Sequence, residues 1–179
     1  MHSEAEGGTE GTRTGVGDLL SRFKYAGEVA LGPLLGEAMA GAVVMDPAYL
    51  DVDVVTHIPP TVRRGGPEPA CELALVLARA LRVRCLPRLM ARTRRTALQK
   101  DVFRWAEKRQ NVAGALRVRR PDLLRDKKVL LVDDVYDSGA TLEEGWRALK
   151  EAGAREVVVA TVTRTRYRRD TEPWSEQPG

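Results

Sequence analysis

The chain has 179 residues, 43% hydrophobic and 30% charged, with a formal net charge of +4 at neutral pH. That length fits one domain with a sizeable core, and no apolar run approaches the ~18–20 residues of a membrane span. The scattered Cys71, Cys85, His2 and His57 cannot supply a four-thiolate zinc site, and both cysteines suit small buried positions in a reducing cytosol.

Residues 1–17 are rich in Gly, Thr and Glu, lack periodicity and are expected to be a disordered tail. They contain no apolar signal core, so a cytoplasmic chain is expected. The domain is expected over 18–169, with a loose tail at 170–179. Asp18 is read as the N-cap of a short helix through Tyr25, which Gly27 breaks. A second helix is expected from Glu28 to Ala42, with Val29, Leu31, Leu34, Leu35 and Met39 on one face and Pro33 in the first turn. Val52–His57 reads as the first core strand. Pro59 and Pro60 cannot extend a central strand, so the sheet stops and a loop, Ile58 to Gly66, opens at its carboxyl edge. Its backbone amides, with Arg63 and Arg64, suit an anion. His57 is read as a framework residue. A helix is expected from Pro67 to Val83, with Leu73, Leu77, Ala80 and Leu81 as its core stripe. Cys85 to Met90 reads as an edge strand interrupted by Pro87.

The charge is unevenly distributed. Residues 1–53 hold 3 Lys/Arg against 9 Asp/Glu, and residues 82–128 hold 16 against 4. Such a positive region attracts phosphate-rich ligands, and the 82–128 segment is a candidate surface for nucleic acid. Within it, Arg92 to Asp101 is polar, basic and weakly patterned. It reads as a flexible loop that closes over a charged ligand and excludes water, with Arg94, Arg95 and Lys100 as candidate contacts. Helical character follows through Gln110, and Asn111–Val118 is expected to return to the sheet as a strand.

Val129–Val132 is an unbroken apolar run that ends at Asp133 and Asp134. Bounded by charge and turn residues, it reads as a strand buried on both faces of a parallel sheet. The two carboxylates then stand at its carboxyl end, where open α/β sheets bind ligands. Asp137-Ser138-Gly139-Ala140-Thr141 turns the chain into a helix expected from about Thr141 to Ala152. Gly153 is expected to cap it, with Trp146 and Leu149 facing the core. Paired carboxylates suit diol hydroxyls or a hard cation, and amides at a helix N-terminus suit a phosphate. A ribose 5-phosphate needs both. Glu156–Val162 is the last expected strand, after which Thr163 to Arg169 leaves the sheet. The fold class is therefore α/β, an open mostly parallel sheet flanked by helices.

The stretch Val129–Thr141 resembles the PRPP-binding motif of type I phosphoribosyltransferases along its whole length. Ser21-Arg22-Phe23-Lys24-Tyr25-Ala26-Gly27-Glu28, the Ile58–Gly66 loop, Arg94–Gln99 and Lys108–Ala115 are similar, in that order, to segments of the ComF-like competence phosphoribosyltransferases. Two features depart from that family. Its usual four-cysteine zinc ribbon has no counterpart in this sequence, and Arg-Gly-Gly-Pro-Glu-Pro stands where Arg-Gly-Phe-Asn is usual. The resemblance implies phosphoribosyl transfer from PRPP to a nitrogenous base, with release of pyrophosphate and Mg²⁺ as cofactor. It implies Asp133 and Asp134 at the ribose hydroxyls and the metal, and Asp137, Ser138, Gly139, Ala140 and Thr141 at the 5-phosphate. Ile58, Pro59, Pro60, Thr61 and Arg63 would hold the pyrophosphate, in a loop that often contains a non-proline cis peptide. Asp137 also resembles the 6-oxopurine enzymes, where an acid there handles a proton of the purine; it reads equally as a turn residue and cap. Purine is slightly favoured as acceptor, and a homodimer is expected. The alternatives are a non-catalytic PRPP-sensing regulator and a competence-related nucleic-acid-binding protein.

Overall fold

The computed structural model describes residues 15–62, 68–94, 96 and 105–164. In chain order its elements are α1 (Gly15–Tyr25), α2 (Leu31–Met45), β1 (Val54–His57), α3 (Pro69–Leu81), β2 (Arg84–Cys85), β3 (Met90–Arg92), α4 (Trp105–Val112), β4 (Leu116–Val118), β5 (Lys128–Tyr136), α5 (Ala140–Glu151) and β6 (Glu156–Arg164). The main sheet has the order β2–β1–β5–β6 and is parallel throughout. β3 and β4 form a separate antiparallel ribbon.

Helices cover both faces of the sheet, as the apolar strands require. Successive residues of β5 point to opposite sides: Leu130 and Val132 join the layer of α2 and α3, and Val129 and Leu131 join that of α5. From β1 the chain passes through α3 to β2 on one side. From β5 it passes through α5 to β6 on the other. The crevice between the carboxyl ends of β1 and β5 is thus a topological switch point.

The structure moves several expected boundaries. Residues 15–17 belong to α1 rather than to a tail, and Asp18 lies in its first turn. The buried face of α2 is Gly32, Leu35, Gly36, Met39, Ala40 and Val43, while Val29 and Leu34 are exposed. Small residues mark the true contact: a Cβ on Gly32 would stand 2.7 Å from the Phe23 ring, and one on Gly36 2.8 Å from Val76. In α3, Leu73 and Leu77 are fully buried but Ala80 is exposed. The segment read as one strand from Cys85 to Met90 is two. Pro87 stands in the turn between β2, at the sheet edge as expected, and β3. Asn111–Val118 does not rejoin the main sheet; its first part ends α4 and its last part is β4 of the ribbon. Thr163 and Arg164 remain in β6 instead of leaving the sheet.

Gly145 explains a further difference. Its missing side chain lets α5 settle against Ile58 and Leu131, whose methyls would lie 2.6 and 2.9 Å from an added Cβ. The buried stripe is therefore Leu142, Gly145 and Leu149, and Trp146, one residue on, is 45% exposed.

Candidate active site

β1 ends at His57, paired with Val132, and the Ile58 N–H donates to the Val132 carbonyl at 2.9 Å. β5 continues for four more residues, paired with β6 alone through Tyr136 and Arg164. Asp133 and Asp134 are therefore the first residues of β5 beyond its β1 partner. They sit inside a strand rather than after one, at the point where β1 turns away.

The acid pair is not symmetric. The Asp134 N–H donates to Asp133 Oδ1 at 2.9 Å. Burial pushes the Asp133 carboxyl up to about 8, helped by the charge of Asp134; the Asp134 N–H, Lys24 and Arg92 act the other way. Asp134 Oδ2 lies 2.8 Å from the ammonium of Lys24, with the two side chains 16% and 23% exposed. Among the described residues no three Asp, Glu, His or Cys side chains converge as a metal cage. Asp133 and Asp134 would hold a magnesium ion only together with substrate oxygens and water as its other ligands.

The β1 loop approaches this pair from the neighbouring strand. Ile58 is buried under α5, while Pro59, Pro60 and Thr61 are partly accessible. All described peptide bonds in it are trans. Arg92, at the end of β3, donates through Nε to the Pro59 carbonyl at 3.0 Å and through Nη1 to Thr96 Oγ1 at 3.4 Å. Burial draws its guanidinium below the usual range, and the charge of Asp133 opposes that shift. His57 is buried with Nδ1 3.0 Å from the Ile58 carbonyl, in keeping with a framework role.

Beyond β5 the chain turns through Ser138 into α5. Gly139 is the N-cap, at φ +78°, and an added Cβ would meet the Tyr136 hydroxyl at 2.6 Å. Glycine thus answers both the left-handed backbone and the close tyrosine. Ser138 Oγ accepts from the Ala140 N–H at 3.4 Å, and the α5 N-terminus faces the same crevice edge as the acids.

Residues 61–177 match the family described as Phosphoribosyl transferase domain. The chain belongs to that family. It is 32% identical over 139 residues to the amidophosphoribosyltransferase of Escherichia coli (strain K12), covering 76% of this chain and 24% of that protein. Among solved structures it is similar to the Bacillus subtilis glutamine PRPP amidotransferase complexed with ADP and GMP (23% identity, TM-score 0.49, 73% of this chain and 26% of that one). It is also similar to the purine phosphoribosyltransferase of Pyrococcus horikoshii Ot3 (22% identity, TM-score 0.46, 82% and 92%).

In this phosphoribosyltransferase domain the expected acids, the Ile58–Thr61 segment and the Ser138–Thr141 turn meet at one sheet edge. Arg63, Arg64, Arg95 and Lys100 lie outside the described residues. Arg94 donates to the Ala113 carbonyl at 3.0 Å, beside the ribbon. Three residues to which the sequence reading gave no site role reach this edge: Lys24, Arg92 and Lys108. Lys108, on α4, is 8% exposed and holds Asp137 Oδ2 at 2.6 Å, with Asp137 itself 28% exposed. Lys108 shares a helix face with Val112, which is also buried, but the helix has few apolar residues to mark that face in the sequence. Lys24 did carry a signal, following the apolar pair Leu20 and Phe23 that fixes one face of α1.

Proposed function

We propose that this domain binds PRPP across the carboxyl ends of β1 and β5 and transfers its 5-phosphoribosyl group to a nitrogenous base, releasing pyrophosphate. The observation that carries the reading is the meeting of the Asp133–Asp134 pair with the glycine-capped N-terminus of α5 at the switch point. Asp133 and Asp134 receive the ribose hydroxyls. The amides and hydroxyls of Asp137 to Thr141 receive the 5-phosphate. The amides of Ile58 to Thr61, with Arg63, receive the pyrophosphate, and Arg92 fixes that loop through Pro59. The basic residues Arg94, Arg95 and Lys100 belong to the segment that covers the leaving group.

Magnesium, held by Asp133 and Asp134 together with substrate oxygens, would neutralise charge on the pyrophosphate. Departure of pyrophosphate develops positive charge at the anomeric carbon, so the protein's task is positioning and charge compensation. On the acceptor side, Lys108 holds the Asp137 side chain in one place, 2.6 Å from its ammonium, at the turn that opens α5. The test is a thermal-shift screen with PRPP, Mg²⁺ and a panel of bases. A rise with PRPP that grows with one base supports transfer; no rise with PRPP overturns it.

A second reading is a PRPP-responsive protein that binds nucleic acid. Exposed Arg84, Arg88, Arg117 and Arg119 on the edge strand, the following turn and the ribbon favour it. It requires retention of RNA or DNA that weakens steeply with salt.

A further inference from the structure

Lys24 brings a charged side chain to the acid pair from outside the region matched to the family. Lys24 belongs to α1, and that match begins at residue 61. α1 is a fixed element. Leu20 and Phe23 are buried in the main core, and the Phe23 ring lies against Gly32 of α2. The chain leaving it is tied back by Arg22, whose guanidinium holds both oxygens of Glu28 at 2.8 and 2.6 Å. The ammonium of Lys24 is thus delivered to Asp134 by packed structure.

Two adjacent carboxylates at a partly buried strand end would otherwise be a ready site for a hard divalent cation. Here one oxygen of Asp134 already faces a monovalent cation at 2.8 Å. We infer that Lys24 is a positioning residue: it is the resident counter-ion of Asp134, keeps divalent metal out of the substrate-free site, and aims the carboxylate at the ligand. The inference deepens the proposed function, resting on it for the identity of that ligand, the ribose diol. Metal then enters with the oxygens of the bound substrate rather than on the bare protein. Removing the ammonium leaves the Asp134 carboxylate without its counter-ion, a charge that Mn²⁺ or Mg²⁺ can satisfy.

The experiment uses the full chain without PRPP and reads free Mn²⁺ by electron paramagnetic resonance. Wild type and Lys24→Arg are expected to take up no Mn²⁺ at this site. Lys24→Met keeps the aliphatic stem without the charge and is expected to bind Mn²⁺ at least about tenfold more tightly than wild type. Asp134→Asn added to Lys24→Met should abolish the gain. Lys24→Gln is the second neutral variant should Lys24→Met fold poorly. Equal uptake by wild type and the neutral variants, or none by any of them, overturns the inference. So does a gain that survives Asp134→Asn. Because no PRPP is present, these outcomes are separate from a failure of PRPP binding, which would count against the proposed function and leave the role of Lys24 standing.

Discussion

The ammonium of Lys108 lies 2.6 Å from a carboxylate oxygen of Asp137, joining α4 to the turn that opens α5. The contact spans 29 positions of sequence and is largely shielded from water. A second tie runs beside it, from Arg109 to Glu143 in the first turn of α5. The placement of α4 and the charge of the turn at Asp137 are therefore linked. Lys108→Met should cost about 1–3 kcal/mol of stability, since it strips a partly buried carboxylate of that ammonium. Turnover with the acceptor should fall more than affinity for PRPP. Calorimetry and steady-state kinetics separate the two, and an equal loss in both would mean that Lys108 only holds α4 in place.

Asp133 gives the domain a pH-dependent stability of known sign. Its folded-state value, about 8, lies above that of an ordinary carboxylate, because burial and the Asp134 charge disfavour ionisation. The folded state therefore binds this proton more tightly than the unfolded chain does. Its contribution is fully present below the ordinary carboxylate range and is lost as pH rises toward about 8. In the absence of ligand and metal, Tm should decline over that window, after allowance for other groups. Asp133→Asn should flatten the decline and raise Tm at neutral pH, while weakening PRPP binding. A Tm profile unchanged by Asp133→Asn would show that the carboxyl ionises freely.

The central part of this arrangement was legible because local chemistry determines it. An apolar run that alternates between two core layers must be a buried strand, and acids directly after it must stand at a ligand edge. What could not be read depended on distant contacts. The sequence placed Trp146 in the core because it is large and apolar. Gly145 instead brings α5 so close to Ile58 and Leu131 that the neighbouring position turns outward. Leu34 failed for a related reason, since Gly32 and Gly36 mark the contact face of α2 while scoring as weakly apolar. Lys24 and Lys108 reach the site from separate helices, and neither pairing is written in the spacing of either segment.

Gly139→Ala tests the turn proposed to hold the 5-phosphate. The left-handed backbone costs a residue with a Cβ about 1–2 kcal/mol, and the Tyr136 hydroxyl must also give way, being 2.6 Å from that atom. Tyr136 carries the guanidinium of Arg164 over its ring, 5.5 Å from the centroid, so its displacement disturbs the end of β6 as well. The expected result is a modest fall in Tm with a larger fall in affinity for PRPP. Ribose 5-phosphate should lose affinity in parallel, because both ligands share the 5-phosphate. Loss of PRPP affinity with ribose 5-phosphate unaffected would place the 5-phosphate elsewhere.

Arg92 does two things that one substitution cannot preserve together. Its Nε holds the Pro59 carbonyl, and its charge acts on Asp133. Lysine would keep the charge without the planar fork, and methionine would keep neither. Arg92→Met should therefore push the Asp133 carboxyl further up, release the loop after β1, and weaken PRPP about 10–100-fold, the range for losing a charge-assisted hydrogen bond. Arg92→Lys should restore most of the electrostatic effect and little of the loop order. The two can be told apart by following PRPP affinity against pH for both variants. If charge dominates, Arg92→Lys follows wild type; if the tether dominates, it follows Arg92→Met at every pH. Wild-type affinity in both variants would leave Arg92 as a brace between the ribbon and the sheet, with no part in holding pyrophosphate.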